Sequence, residues 1–203
     1  MSAGQVIKSF NSPGGEPRGL AFDGKYLWHI DDRNSEVYQL DLDGKTINLF
    51  IIPIQGLNGI TFDMKNLWLV ENIYSDISMY DRLGNQIQTF TPGDKTLADL
   101  AFDGKYLWAA TGTGATIKKF DLDGNLIKTL AFGGGDIQGL AFDGKYLWLS
   151  ENVGNQIFQI DLDGNVLGWF FSPSSEPRGL AFDGKHLWHA DSNTDKIYCL
   201  AVD

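Results

Sequence analysis

GLAFDGKYLW, residues Gly19 to Trp28, returns as GITFDMKNLW from Gly59 to Trp68 and DLAFDGKYLW from Asp99 to Trp108. It returns again as GLAFDGKYLW from Gly139 to Trp148 and GLAFDGKHLW from Gly179 to Trp188, at the same 40-residue step and without an insertion. A fixed period of this length marks a repeat architecture, so it governs every later assignment. In the first period Gly19 to Phe22 reads as a strand, Asp23-Gly24 as a tight turn and Tyr26 to Ile30 as a second strand. Val37 to Leu42 reads as the third, Asp43-Gly44 as another turn and Thr46 to Ile51 as the fourth. Four strands in one period leave no room for a helix, which excludes helical solenoids and βαβ folds. The expected fold is all-β, a five-bladed β-propeller of four-stranded antiparallel blades around a central channel. The recurrent Trp28, Trp68, Trp108, Trp148 and Trp188 suit the packing between blades.

The ends fix how the ring closes. Fourth-strand segments start at Val6, Thr46, Gln86, Leu126 and Val166, so the first of them precedes any first strand. The fifth repeat stops at Asp203, where its last turn is due, and Gly4 is in register with Gly44. Asp203 and Gly4 would together supply the missing Asp-Gly. The N-terminal strand is therefore expected beside Ile197 to Val202, closing the circle and removing open edges. This gives one domain over 1–203, with blades at 19–51, 59–91, 99–131, 139–171 and 179–203, the last completed by 5–10. A monomer is expected, and a domain-swapped dimer would satisfy the same pairing.

Composition narrows the partners. Of the 203 residues 43% are apolar and 13% aromatic, enough for a packed core, and the formal net charge of −10 repels nucleic acid and anionic membrane surfaces. No apolar run approaches the roughly 20 residues that span a bilayer, and no signal-peptide core follows Met1. As it stands the sequence reads as soluble and cytoplasmic, and a removed signal peptide would leave no trace. The lone Cys199 forms no internal disulfide and lacks an adjacent base in its own strand, which makes it inert.

Function is sought where the blades differ. On the face carrying the fourth-to-first and second-to-third connections, the residues before the innermost strands are Arg18, Asn58, Ala98, Gln138 and Arg178, at the channel mouth. Three positions after each Trp stand Asp31, Glu71, Thr111, Glu151 and Asp191. Blades one and five, neighbours in a closed ring, alone carry Arg18 and Arg178 within Glu-Pro-Arg-Gly and His29 and His189 after the Trp. One reading has each carboxylate capping its own loop and each arginine pairing with a carboxylate, Asp31 and Asp191 being the expected partners. The other is a polar pocket for a small polar or anionic ligand, a sugar or the tip of a protein, since guanidinium and carboxylate forks suit such groups. The mouth carboxylates with Asn72 and Asn152 offer hard oxygens to calcium in or near the channel, though without fixed spacing; no other cofactor is expected. The repeated Asp-Leu-Asp-Gly, as at Asp41 to Gly44, is too short for an EF-hand and reads as a hairpin turn. No phosphate loop, HExxH or nucleophile elbow occurs.

The repeated FDG and LW, with Glu71-Asn72 or Glu151-Asn152, Asn155 and the Ile157 strand, resemble the NHL-like propellers that include streptogramin lyases and gluconolactonase-type proteins. The lyases have seven blades, and their catalytic His and Glu set has no counterpart in these residues. Gln138-Gly139-Leu140 and Val166-Leu167-Gly168-Trp169 are similar to segments of the five-bladed propeller glutaminyl cyclotransferases. That family's Glu-Gly-Trp-Gly-Leu is replaced by Glu16-Pro17-Arg18-Gly19-Leu20 and Glu176-Pro177-Arg178-Gly179-Leu180. The leading expectation is a non-catalytic recognition propeller binding at the mouth. The alternatives are an enzyme of the cyclotransferase or lyase type with Glu71 or Glu151 as general base, and a pure scaffold from amplified or designed repeats.

Overall fold

A computed structural model describes residues 2–71, 73–93 and 96–202. Blade one is β2 (Pro17–Phe22), β3 (Leu27–Asp31), β4 (Glu36–Leu40) and β5 (Thr46–Ile51). Blade two is β6 (Leu57–Phe62), β7 (Leu67–Glu71), β8 (Ile77–Tyr80) and β9 (Gln86–Phe90). Blade three is β10 (Leu97–Phe102), β11 (Leu107–Thr111), β12 (Thr116–Phe120) and β13 (Leu126–Ala131), and blade four is β14 (Ile137–Phe142), β15 (Leu147–Glu151), β16 (Gln156–Ile160) and β17 (Val166–Phe171). Blade five is β18 (Pro177–Phe182), β19 (Leu187–Asp191) and β20 (Lys196–Leu200), completed by β1 (Val6–Asn11) in the order β18-β19-β20-β1. The inner strands β2, β6, β10, β14 and β18 each neighbour the next, and β18 returns to β2. Five antiparallel four-stranded sheets thus form a closed ring.

Closure is a ladder with a register. Val6 pairs with Leu200, Phe10 with Ile197 and Asn11 with Lys196. Gly4 N donates to Ala201 O at 2.8 Å and Ser12 N to Asp195 O at 2.8 Å, extending the pairing past both ends of β1. The expected turn partner Asp203 lies outside the described residues.

The repeat's Asp and Trp are one device. The Asp that opens the first hairpin uses one carboxylate oxygen for the turn, Asp23 Oδ1 accepting Lys25 N and Tyr26 N. Its second oxygen accepts the indole N–H of the Trp five residues on: Asp23–Trp28 at 3.0 Å, and Asp63–Trp68, Asp103–Trp108, Asp143–Trp148 and Asp183–Trp188 each at 2.8 Å. A buried indole needs such an acceptor, so turn and core specify each other. Each Trp lies in the apolar cluster between its blade and the next, Trp28 between blades one and two and Trp188 between five and one. Burying one Trp contributes about 4 to 6 kcal/mol before conformational entropy is charged.

In blade one the second strand is shifted by one residue, Leu27–Asp31 for the expected Tyr26 to Ile30, the third starts one residue early at Glu36, and two boundaries differ by two residues. The third strand of blade one ends at Leu40, because Asp41 Oδ1 accepts Asp43 N and Lys45 N and so starts the turn two residues early. The first strand starts at Pro17, which pairs with Asp31 ahead of a bulge. Glycine at the channel wall is required by the ring's tightness: a Cβ at Gly19 would stand 2.8 Å from Asn58 O and from Ile60 N. Among the described residues no helix is long and apolar enough to cross a membrane.

Candidate functional site

The five inner strands start at one face, where their second residues, Arg18, Asn58, Ala98, Gln138 and Arg178, line a cavity of about 300 Å³ together with Asp136. The two arginines are fixed differently. Arg178 donates from Nη1 to Gln138 Oε1 at 2.8 Å, from Nε to Ser192 Oγ at 3.0 Å and from Nη2 to Glu176 Oε2 at 3.1 Å. Arg18 Nη2 stands 3.7 Å from Asp32 Oδ2, and its Nε is buried with no hydrogen-bond partner among the described residues. Burial and then the charge of Arg18 pull the Arg178 guanidinium below its usual range. Burial likewise raises the Asp32 carboxyl, against the attraction of Arg18. Asn58 turns its amide to Leu97 O at 3.3 Å.

The carboxylates ending the second strands take another role. Asp31 accepts Glu16 N at 2.7 Å and Arg33 N at 3.2 Å, and Asp191 accepts Glu176 N at 3.3 Å and Asn193 N at 3.1 Å. Both are fully buried and tie two connections together, so the arginines pair instead with Asp32 and Glu176. Asp191 Oδ2 also stands 3.9 Å from His189 Nε2. Glu151 accepts Gly154 N at 2.8 Å and Val153 N in its own loop. Glu71 accepts Tyr74 N at 3.1 Å and lines a separate cavity between blades one and two.

His29 and His189 lie fully buried between blades. His29 Nε2 meets Ser12 Oγ at 2.8 Å and its ring stacks on Tyr38; His189 Nε2 meets Ser172 Oγ at 3.0 Å and stacks on Tyr198. Burial pushes both imidazoles down to about 4, against the charges of Asp31 and Asp191. They are neutral at physiological pH. Among the described residues no group of three or more His, Cys, Asp or Glu is placed to hold a metal ion; Asn72 lies outside them.

One residue at the site was missed from sequence. Asp99 occupies the position held by Gly19, Gly59, Gly139 and Gly179 in the other blades, and it is fully buried directly below the mouth residue Ala98. Its Oδ1 accepts Ile60 N at 3.1 Å and its Oδ2 accepts Leu140 N at 2.9 Å, two blades joined through one side chain. Burial raises its carboxyl well above the usual range, while the amides of Leu140, Leu100, Ile60 and Leu180 oppose that shift. Along β10 it separates the mouth cavity at Leu97 and Ala98 from a bore of about 90 Å³ at Leu100 to Phe102. The signal was the single departure from glycine at the start of the repeated decapeptide.

No protein-family model and no curated protein sequence matches the chain. Its structure is similar to the glutaminyl cyclase of Myxococcus xanthus, with a TM-score of 0.83, 13% identity and 98% and 96% of the two chains covered. It is similar to virginiamycin B lyase of Staphylococcus aureus, with a TM-score of 0.60, 15% identity and 97% and 99% covered. A chain of a nidogen/laminin complex gives a TM-score of 0.69 at 17% identity, with 92% and 76% covered. At these identities the likeness is one of fold, the propeller of the cyclase and lyase structures.

Proposed function

We propose that this chain is a recognition propeller that takes a small anionic or polyhydroxylated ligand in the cavity at the channel mouth. The observation that carries the reading is Arg18 and Arg178 lining one cavity, where burial and then the charge of Arg18 disfavour the Arg178 cation, and Arg18 Nε has no hydrogen-bond partner among the described residues. A ligand carboxylate, sulfate or hydroxyl pair in the cavity would relieve that repulsion and accept from the guanidinium groups. The two arginines are the chemical basis for choosing an anion, in a chain otherwise strongly acidic.

The test is titration of the wild type and of the Arg18→Ala/Arg178→Ala double variant with sulfate, succinate and glucuronate by calorimetry. The expected result is saturable binding of one of these, weakened by about 2 kcal/mol, roughly 30-fold, in the variant. Binding untouched by the double change would overturn the reading.

The cyclase-like fold favours a second reading, cyclisation of N-terminal glutamine. A general base must reach the substrate proton, and Glu151 is held by two loop amides while Glu71 lines a different cavity. Incubation with N-terminal-glutamine peptides is expected to give no cyclised product; turnover abolished by Glu71→Gln or Glu151→Gln would replace the recognition reading with the enzymatic one.

A further inference from the structure

Blade two lacks a side chain that the other blades possess. The position facing the preceding blade in the third strand is Tyr38, Ser78, Lys118, Phe158 and Tyr198 in successive blades. Tyr38 and Tyr198 fill their gaps by stacking on His29 and His189, and Phe158 fills its gap against Phe132 at 5.1 Å and Trp169 at 6.4 Å. Ser78 fills nothing: its Oγ donates across to Thr89 Oγ1 at 2.8 Å, and Thr89 stands where blade four has Trp169. What remains is a cavity of about 350 Å³ between blades one and two, with Ile54 and Ile73 on its apolar side and Tyr74 and Tyr80 as aromatic walls.

The cavity has a sign. Glu71 and Asp76 line it, and no lysine, arginine or histidine among the described residues does. Glu71 is only 6% exposed as a residue, and its carboxylate accepts a single hydrogen bond among the described residues, Tyr74 N on Oε1. Its counterparts Asp31, Glu151 and Asp191 each accept at least two. The second oxygen of Glu71 is thus uncommitted and available to a donor placed in the cavity. Its charge is also felt by the phenol of Tyr80, which burial holds above the usual range, with the Ser78 hydrogen bond opposing and the charge of Glu71 adding a smaller upward push.

We propose that this cavity is a binding site for an arylalkylammonium group, whose ring takes the space left open by Ser78 and whose ammonium meets the Glu71 carboxylate. The ring would lie where Phe158 lies in blade four, against Ile54, Ile73 and Tyr74. The ammonium would donate to Glu71 Oε2, and the Thr89 hydroxyl and Gln86 amide oxygen, which line the same cavity, offer further acceptors. Tyr74 and Tyr80 add the attraction of an aromatic face for a cation. The ligand's charge is opposite to that expected at the mouth, so this site stands independently of the mouth reading.

Calorimetric titration of the full chain with phenethylammonium chloride, phenylacetate and 2-phenylethanol tests the proposal. The expected result is saturable one-to-one binding of phenethylammonium, at least tenfold weaker binding of the neutral alcohol and none of the anion. Glu71→Gln is expected to weaken the ammonium at least tenfold, Ser78→Phe to abolish it by restoring the ring of blade four, and Arg18→Ala/Arg178→Ala to leave it unchanged. Absence of saturable binding to the wild type, equal binding of phenylacetate, binding that survives Ser78→Phe, or binding lost with the two arginines would each overturn the proposal. Should Ser78→Phe fail to fold, amide shifts decide: changes at Thr89 and Tyr80 on titration that disappear in Glu71→Gln support the site, and their absence refutes it.

Discussion

Asp99 Oδ1 accepts the backbone N–H of Ile60 at 3.1 Å, so a side chain of blade three closes a ladder that belongs to blade two. The same carboxylate reaches Leu140 N of blade four at 2.9 Å. The backbone amides of Leu140, Leu100, Ile60 and Leu180 surround it as donors, which its two carboxyl oxygens accept. Asp99→Ala would leave two buried N–H groups facing the bore, at about 1–3 kcal/mol. Asp99→Asn is expected to do no better, because it turns an N–H₂ toward one of the amides. Urea unfolding at pH 7 checks both; an Asn variant as stable as the wild type would refute the acceptor role.

Deleting residues 2–11 removes β1 from β20 and takes Phe10 away from Trp188, whose ring centroids are 6.0 Å apart. The last blade would then expose an unpaired edge and half of an apolar interface. The truncated chain is expected to aggregate or to lose its cooperative transition. A monomer by size-exclusion chromatography with an unchanged unfolding midpoint would show that closure by this strand is dispensable.

His29 and His189 make stability depend on pH in a definite direction. Their folded values of about 4 lie below the unfolded 6.5, so the unfolded chain binds more protons between those limits. Stability contributed by neutral burial is therefore present above pH 6.5 and lost as pH falls toward 4, on the order of 3 kcal/mol per histidine. Asp99 acts oppositely, its raised carboxyl favouring the folded state at low pH and losing that contribution as pH rises. His29→Leu/His189→Leu, which copies Leu69 and Leu149 of blades two and four, is expected to flatten the fall between pH 7 and pH 5. An unaltered slope in denaturant titrations at those two pH values would show that the histidines do not titrate on unfolding.

The ring was legible because its determinants are local and repeated: FDG turns, alternating strands and an N-terminal segment in register with four later ones. Strand starts at Val6, Thr46, Gln86, Leu126 and Val166 coincide with the structure. The site was less legible because similar sequence positions face different surroundings. His29 is adjacent in sequence to Trp28 and close to the mouth in chain order, yet β3 turns it into the gap between blades, where Ser12 and Tyr38 enclose it. Asp31 points into the loops and Asp32, one residue on, meets Arg18; a one-residue distinction in a connection is set by backbone geometry that periodicity does not encode. Asp99 was visible as an exception, but only the ring of amides around it gives that exception a meaning.

Met64 is another exception, and it yields the simplest test of how the repeat encodes its turns. It stands where the other blades have Gly24, Gly104, Gly144 and Gly184, and it adopts the same left-handed conformation with φ at 76°, against 92° to 96° for the glycines. A side chain with a Cβ pays about 1–2 kcal/mol for that conformation, offset in part by the greater freedom glycine has in the unfolded chain. Met64 is 74% exposed, so little packing is lost on removing its side chain. Met64→Gly is therefore expected to stabilise the protein by about 0.5–1 kcal/mol and raise Tm by about 1 to 3 °C. The reverse change, Gly24→Met, is expected to cost a comparable amount, since nothing lies within 4 Å of a Cβ placed there and strain alone would act. Thermal unfolding of both variants decides it: a destabilised Met64→Gly would mean that the methionine makes a contribution that outweighs its backbone strain.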